Sequence, residues 1–376
     1  MKQRLCSPQD CNRCFACRGK CPVDAITIED DNKGFWMPVI DENKCTDCGK
    51  CTRTCPVINR VKRYDCTKNV YASWSQDPDV VLNSNSGGVF EGLANIMLNN
   101  CGVVYGAAFN ENNEVIHTCV TKAEDVDKVI RKKYVQSNMK GVYSSIDRAL
   151  RENKSVLFYG VPCLCAGVRN FVGYNENLLV VDMLCAGRPS PKVFKSYLDY
   201  VSKGRKPVRI NFTDKTLGWK NYSMRIDFED GSFYSKSMHE DPFLLGMHRN
   251  YMVKSSCYDC RYADTKRVGD ITLANFYGLK GKNIEEKGVT LVTANTKLGK
   301  TYLKLMEDYK FVRKEFDEAV VSNFTFSRPA KRPEDNDKFW EDFNNMPPEE
   351  FWQSSKYFSP DRKRDLVKSI IHKFGM

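Results

Sequence analysis

Two cysteine runs of identical spacing fall within the first sixty residues: Cys11, Cys14, Cys17 and Cys21-Pro22, then Cys45, Cys48, Cys51 and Cys55-Pro56. Three thiolates separated by two residues each share one tight turn, from which they can reach three corners of an iron–sulfur cube. The fourth has to come from elsewhere in the chain. The proline after each fourth cysteine stops a helix from continuing there. Disulfides and zinc are the competing uses of these eight cysteines. Zinc closes with four ligands, usually drawn from separated C-x2-C pairs rather than an uninterrupted run of four. The spacing therefore predicts two 4Fe-4S clusters.

Each run resembles that of bacterial-type two-cluster ferredoxins, in which the fourth cysteine crosses to the other cluster. The resemblance implies one cluster on Cys11, Cys14, Cys17 and Cys55, and a second on Cys45, Cys48, Cys51 and Cys21. Cysteine is used heavily elsewhere too, seventeen times in 376 residues. The start, Met1-Lys2-Gln3-Arg4-Leu5, has no apolar signal region, and no stretch approaches the roughly 18 apolar residues of a membrane span. A soluble, cytoplasmic chain is expected, in which cysteines serve as metal ligands, redox groups or small core residues. Cys6, Cys66, Cys101 and Cys119 lack partners at ligand spacing and are expected as buried filler. The formal charge of +11 drops to about +7 with two oxidised clusters and about +5 with three, at about −2 each. What remains is concentrated in Lys331-Arg332 and Arg362-Lys363-Arg364 rather than along an aromatic-rich groove, which argues against nucleic-acid binding.

A chain of 43.2 kDa can bury a sizeable core beyond the cysteine module. Residues 1–60 are read as a two-cluster domain, Val61 to Asn69 as a polar linker, 70–155 and 156–325 as two parts of one larger domain, and 326–376 as a basic, Pro-rich tail. Strands are predicted at Val70 to Trp74, Val103 to Phe109, Val115 to Thr121, Val156 to Tyr159 and Leu178 to Met183. Tyr222 to Phe228 and Phe233 to Ser237 flank Asp230-Gly231 as a hairpin. Helices are predicted over Val89 to Leu98, around Ile146 to Glu152, and from Ser190-Pro191 through Val201, with a serine cap and proline in the first turn. Thr121-Lys122-Ala123-Glu124 has the form of a capping box. This alternation predicts a mixed α/β (α+β) fold, with helices flanking a mixed sheet. In the tail, Leu366, Val367, Ile370, Ile371 and Phe374 form an apolar stripe at helical spacing, for which core docking is the default and peripheral membrane contact the alternative.

Seven motifs beyond the cysteine module converge on one family. They are Ser86-Gly87-Gly88, Lys133-Tyr134-Val135-Gln136-Ser137, Gly160-Val161-Pro162-Cys163, Cys185-Ala186-Gly187-Arg188-Pro189-Ser190, Thr216-Leu217-Gly218-Trp219, Ser256-Cys257-Tyr258-Asp259-Cys260 and the run from Asp270 to Gly278. Their order over roughly residues 70 to 320 resembles that in the beta subunits of coenzyme F420 hydrogenases and dehydrogenases. The resemblance implies FAD, with Ser86, Gly87, Gly88, Lys133, Tyr134, Ser137, Gly160 and Pro162 as candidate contacts. One departure stands out: the family usually has an aspartate where this chain has Asn275, which can neither take nor give that acid's proton.

Within the matching motifs, Cys163, Cys185, Cys257 and Cys260 are a candidate third cluster site. Zinc is the competitor, since four dispersed thiolates also suit a tetrahedral ion, and Cys165 is near enough to replace a ligand. Gly87 and Gly88 precede a predicted helix, whose free N–H groups favour a diphosphate, although a glycine pair there also suits a simple turn. A flavin handles electron pairs and each cluster single electrons. The favoured expectation is an FAD- and iron-sulfur-dependent oxidoreductase that links a hydride-exchanging small molecule to a ferredoxin-like, low-potential carrier. The alternatives are a ferredoxin-linked coenzyme F420 reductase and a non-catalytic electron-transfer subunit. No nucleophile or base is demanded, and His117, His239, His248 and His372 are read as structural. Substrate, direction of electron flow and oligomeric state are not fixed by the sequence.

Overall fold

The structure, a computed structural model, describes residues 5–277, 279, 288–321 and 323–360. Its centre is an eight-stranded mixed sheet in the order Tyr309–Lys314, Val70–Ser75, Thr290–Ala294, Ile271–Asn275, Leu178–Met183, Val156–Gly160, Val103–Phe109, Val115–Val120. The four strands Ile271–Asn275, Leu178–Met183, Val156–Gly160 and Val103–Phe109 run parallel. Antiparallel neighbours close the sheet on both sides. Both faces are covered, so the central strands read as continuous apolar runs: every residue of Val156–Gly160 is buried.

The parallel strands place their C-terminal ends together. Gly160 leads directly into the helix Pro162–Val172, and Met183 into the loop carrying Cys185. Ligands of open parallel sheets bind at that edge. Its geometry is held from behind by two buried carboxylates. Asp182 accepts from Arg267 and from the backbone N–H groups of Val268 and Gly269. Asp270 pairs with Arg169 at 2.6 Å and accepts from Thr296.

The cysteine module is built into the larger domain. Phe15 and Ala16 share a core with Tyr105, Tyr143, Phe158 and Phe171. Lys20 donates to the Phe171 carbonyl, and Asn170 to the Asn59 carbonyl. Ser190 stands at the N-cap position of the helix Pro191–Ser202 without making a cap bond. Its hydroxyl donates instead to the Lys33 carbonyl at 2.6 Å, tying the two parts together. The segment from Val61 to Asn69 is pinned as well, since Tyr64–Asp65 pairs with Lys266–Arg267.

Further sequence expectations change. The Thr121 capping box does not form; a short 3-10 turn, Ala123–Asp125, and the helix Asp127–Ile130 follow without a side-chain cap. Cys66 is buried as expected, but Cys101 and Cys119 are exposed. After Ser327 the chain forms the short helices Asn336–Asn345, Pro348–Trp352 and Ser355–Phe358. They bury Phe339, Trp340, Phe351, Trp352, Tyr357 and Phe358 against Tyr197 and Phe243. The apolar stripe from Leu366 to Phe374 lies outside the described residues.

Candidate iron–sulfur and cofactor sites

The two cysteine runs fold as copies of one loop. Arg13 and Asp47, at equivalent positions, have φ of 51° and 54°, and Phe15 and Gly49 have 64° and 67°. Each loop passes into a short helix, Ala16–Gly19 or Lys50–Thr54. This repeated left-handed turn points three sulfurs inward in a short span. Cys21 reaches across to line a small cavity with Cys45, Cys48 and Cys51. Reciprocally, the charges acting on the Cys17 thiol are those of Cys14, Cys11 and Cys55. Both fourth cysteines thus stand with the opposite run.

Cys6 is brought against this first group, which nothing in its spacing announced. Hydrogen bonds from Cys6 draw Cys11 down to about 7 and Cys55 down to about 6, while raising Cys6 itself. Burial pushes Cys14 up to about 12. A thiol buried in this way keeps its proton at neutral pH unless a metal takes the proton's place. The Cys11 sulfur accepts from the Arg13 N–H and the Cys21 sulfur from the Ala25 N–H, at 3.3 and 3.2 Å, a pattern that suits thiolate ligands.

Cys163, Cys185, Cys257 and Cys260 line one further cavity, closed by Asn12, Arg188, Lys254 and Tyr262. Cys163 comes from the helix after Gly160, Cys185 from the loop after Met183, and the last two from Ser255–Tyr258 and the turn that follows. Burial raises Cys185 to about 12 and Cys260 to about 11. Four thiolates suit either a 4Fe-4S cube or a tetrahedral zinc ion. The donor set, all thiols beside two buried cations, fits a 4Fe-4S group. Cys165 points elsewhere: its thiol donates to the Gly160 and Val181 carbonyls.

A cavity of about 470 Å³ adjoins this site and shares Cys185, Gly187 and Arg188 as wall. That volume is typical of a small-molecule site. Lys133, Tyr134, Ser137 and Gly160 line it. So does His117, buried, with Nδ1 bonded to the Ser137 hydroxyl and Nε2 without a partner. A second cavity of about 190 Å³ shares Lys132, Tyr159, Met183 and Leu184 with the first and is lined by Ser86 and Gly88. Gly88 caps the helix Val89–Asn99 with φ of +82°, a backbone that favours glycine. Gly87 has a packing role, since a Cβ there would lie 2.3 Å from the Ser73 carbonyl oxygen. Pro162 faces the four-cysteine cavity instead of the two larger ones. Lys132, Lys133 and Lys215 give their ammonium groups to neutral oxygens of Asn275, Lys128, Val81 and Ser86. Burial lowers Lys132 to about 8, and Lys133 and Lys215 to about 7. Lys132 lines both cavities and Lys133 the larger one; with the helix N-terminus they favour an anionic ligand, which fits a dinucleotide such as FAD.

Residues 153–318 match the family described as the C terminus of the coenzyme F420 hydrogenase/dehydrogenase beta subunit. Residues 10–59 and 37–88 each match a 4Fe-4S dicluster domain. The chain is 48% identical over 40 residues to the B subunit of the Na(+)-translocating ferredoxin:NAD(+) oxidoreductase complex of Acetobacterium woodii, a match spanning 11% of either protein. Among solved structures it is similar to a chain of the F420-reducing [NiFe] hydrogenase complex from Methanosarcina barkeri. That likeness has a TM-score of 0.47 and 17% identity, and covers 69% of this chain and 84% of that one.

Proposed function

For this iron–sulfur chain, which carries the coenzyme F420 hydrogenase/dehydrogenase beta-subunit domain behind a 4Fe-4S dicluster module, we propose an FAD-dependent oxidoreductase role: electron exchange between a hydride-transferring small molecule and a low-potential carrier. One observation carries this reading. The 470 Å³ cavity and the four-cysteine cavity are separated by a shared wall of Cys185, Gly187 and Arg188. Cys14 in turn lies within the electrostatic reach of Cys163, joining that cavity to the first N-terminal group. The crossing cysteines then link the first group to the second, where Cys48 is exposed. The sites form a series from that cavity to the surface.

A bound flavin would supply the exchange between hydride pairs and single electrons. The protein's part is to place and shield it. Gly88 leaves the N-terminus of its helix open to an anionic group, and Lys132 opposes its charge. Tyr159, Met183, Leu184 and Lys132 line both cavities, so one extended ligand can touch the two together. Neutral, buried His117 lines the larger cavity and is held there by its Nδ1 contact with the Ser137 hydroxyl. Cys163, Cys185, Cys257 and Cys260 would hold the third cluster.

Within this reading the family description favours coenzyme F420 as the hydride partner, and Asn275 is the position that departs from the family's usual acid. The exposed Cys48 side is the docking point for a soluble carrier in the cytoplasm. Anaerobic full-length protein assayed for iron, zinc and flavin together is the test. About twelve irons, one FAD and no zinc per chain are expected. Eight irons with one zinc would move the third site to zinc, and clusters without flavin would leave an electron-transfer subunit. Anaerobic titration with reduced F420 that leaves the flavin oxidised at every ratio would exclude that partner.

A further inference from the structure

Arg188 is 4% exposed and Lys254 2% exposed, and both face the four-cysteine cavity. They share one neutral hydrogen-bond acceptor: the Asn12 carbonyl accepts from Arg188 Nη2 at 2.6 Å and from Lys254 Nζ at 2.7 Å. Arg188 Nε and Nη1 are buried without a hydrogen-bond partner. Among the described residues neither cation is paired with a carboxylate. An unpaired buried charge costs several kcal/mol by typical magnitudes, so a fold that keeps two of them together needs an anion there. The charges that bear on Arg188 are those of Cys163, Cys257, Cys185 and Cys14.

Resting on the reading of Cys163, Cys185, Cys257 and Cys260 as a 4Fe-4S site, we propose that Arg188 is the fixed counter-charge of that cluster and sets its reduction potential. A nearby positive charge stabilises the more negative, reduced cluster over the oxidised one. Guanidinium does not lose its proton in proteins, so the field is constant across working pH. Arg188 lines the 470 Å³ cavity as well. It therefore lowers the energy of an electron on the cluster next to the donor, which favours transfer out of the cavity. Gly187, with φ of +137°, positions the preceding turn, and a Cβ there would meet Val253 at 2.5 Å. That packing fixes Arg188 where it stands.

The test is a potentiometric titration followed by EPR on anaerobic full-length protein, wild type beside Arg188→Met and Arg188→Lys, with iron counted in each. In Arg188→Met the third cluster should be at least tenfold harder to reduce, about 59 mV lower for a one-electron couple. The cluster on Cys21, Cys45, Cys48 and Cys51 serves as the unmoved reference. Arg188→Lys should stay within a few-fold of wild type. Full iron with an unmoved potential in Arg188→Met overturns the proposal. If Arg188→Met loses four irons, Arg188→Lys decides: cluster and potential retained supports the charge, whereas loss there too assigns a hydrogen-bonding role and overturns it. Wild type with only eight irons removes the cluster reading itself, before any substitution is made.

Discussion

His117 is stacked on Phe158 at 5.4 Å, and burial, followed by the charges of Arg188 and Lys133, holds its pKa down at about 3. It is therefore neutral at working pH. The sign of its effect on stability follows: the unfolded imidazole binds a proton below about 6.5 and the folded one does not, so the contribution is complete above that value and is lost as pH falls toward 3. Asp241 acts in the opposite sense. Burial raises it to about 6 despite hydrogen bonds from Tyr197 and Tyr234, so its contribution is present at acid pH and lost as pH rises through 6. Between pH 6.5 and 5.5 the melting temperature of anaerobic wild-type protein should fall more steeply than that of His117→Gln, by the equivalent of up to one proton, about 1.4 kcal/mol per pH unit. Parallel curves would place a partner on Nε2. The two amino-terminal cysteine runs were legible because their spacing is local, and residues 10–59 match a 4Fe-4S dicluster domain. Arg188, Lys254 and His117 were not, because a single charged or imidazole side chain carries no pattern until its surroundings are known.

At the scale of elements, the helix Pro162–Val172 connects the sheet to the cysteine module. Its Gly167 lies under the first loop, where a Cβ would meet the Tyr143 hydroxyl at 2.7 Å and the Cys14 sulfur at 3.3 Å. Tyr143 itself donates to the Cys14 carbonyl. Gly167→Val should displace that loop, with a cost of about 1–3 kcal/mol from overpacking, and lower the iron content by about four per chain. Iron analysis of the soluble variant checks this, and unchanged iron would mean that the loop can shift without releasing its cluster. The strands Val103–Phe109, Leu178–Met183 and Phe233–Ser237 match their predicted ranges, because apolar runs or alternation bounded by turn residues are short-range signals. The Thr121 motif failed because a capping box is a weak preference that packing of Val126 and Val129 into the core overrides.

In the whole molecule the amino-terminal sixty residues form a wall of the larger domain. They cover Tyr143, Phe171 and Tyr262, and the Asn12 carbonyl is the acceptor for both Arg188 and Lys254. Removal of residues 1–60 should leave those groups bare, and the truncated chain is expected to aggregate when expressed anaerobically. Size-exclusion chromatography decides, and a monodisperse truncated protein that retains full flavin would show the module to be dispensable for the fold. The carboxyl-terminal helices play a similar part opposite, where Trp340 meets Phe35 at 6.0 Å. No described helix is long and apolar enough to cross a membrane.

By itself the sequence determined the cysteine spacing, the alternating strands and helices and the turn at Asp230-Gly231, all set by chemistry within a few residues. Only the tertiary structure decided that Cys185 and Arg188 stand in a wall between two cavities, that Cys6 touches Cys11 and Cys55, and that the Pro-rich end buries six aromatic side chains. Those outcomes depend on which distant surfaces exclude water together, and burial of charge and of rings is settled by the partner surface rather than by sequence neighbours.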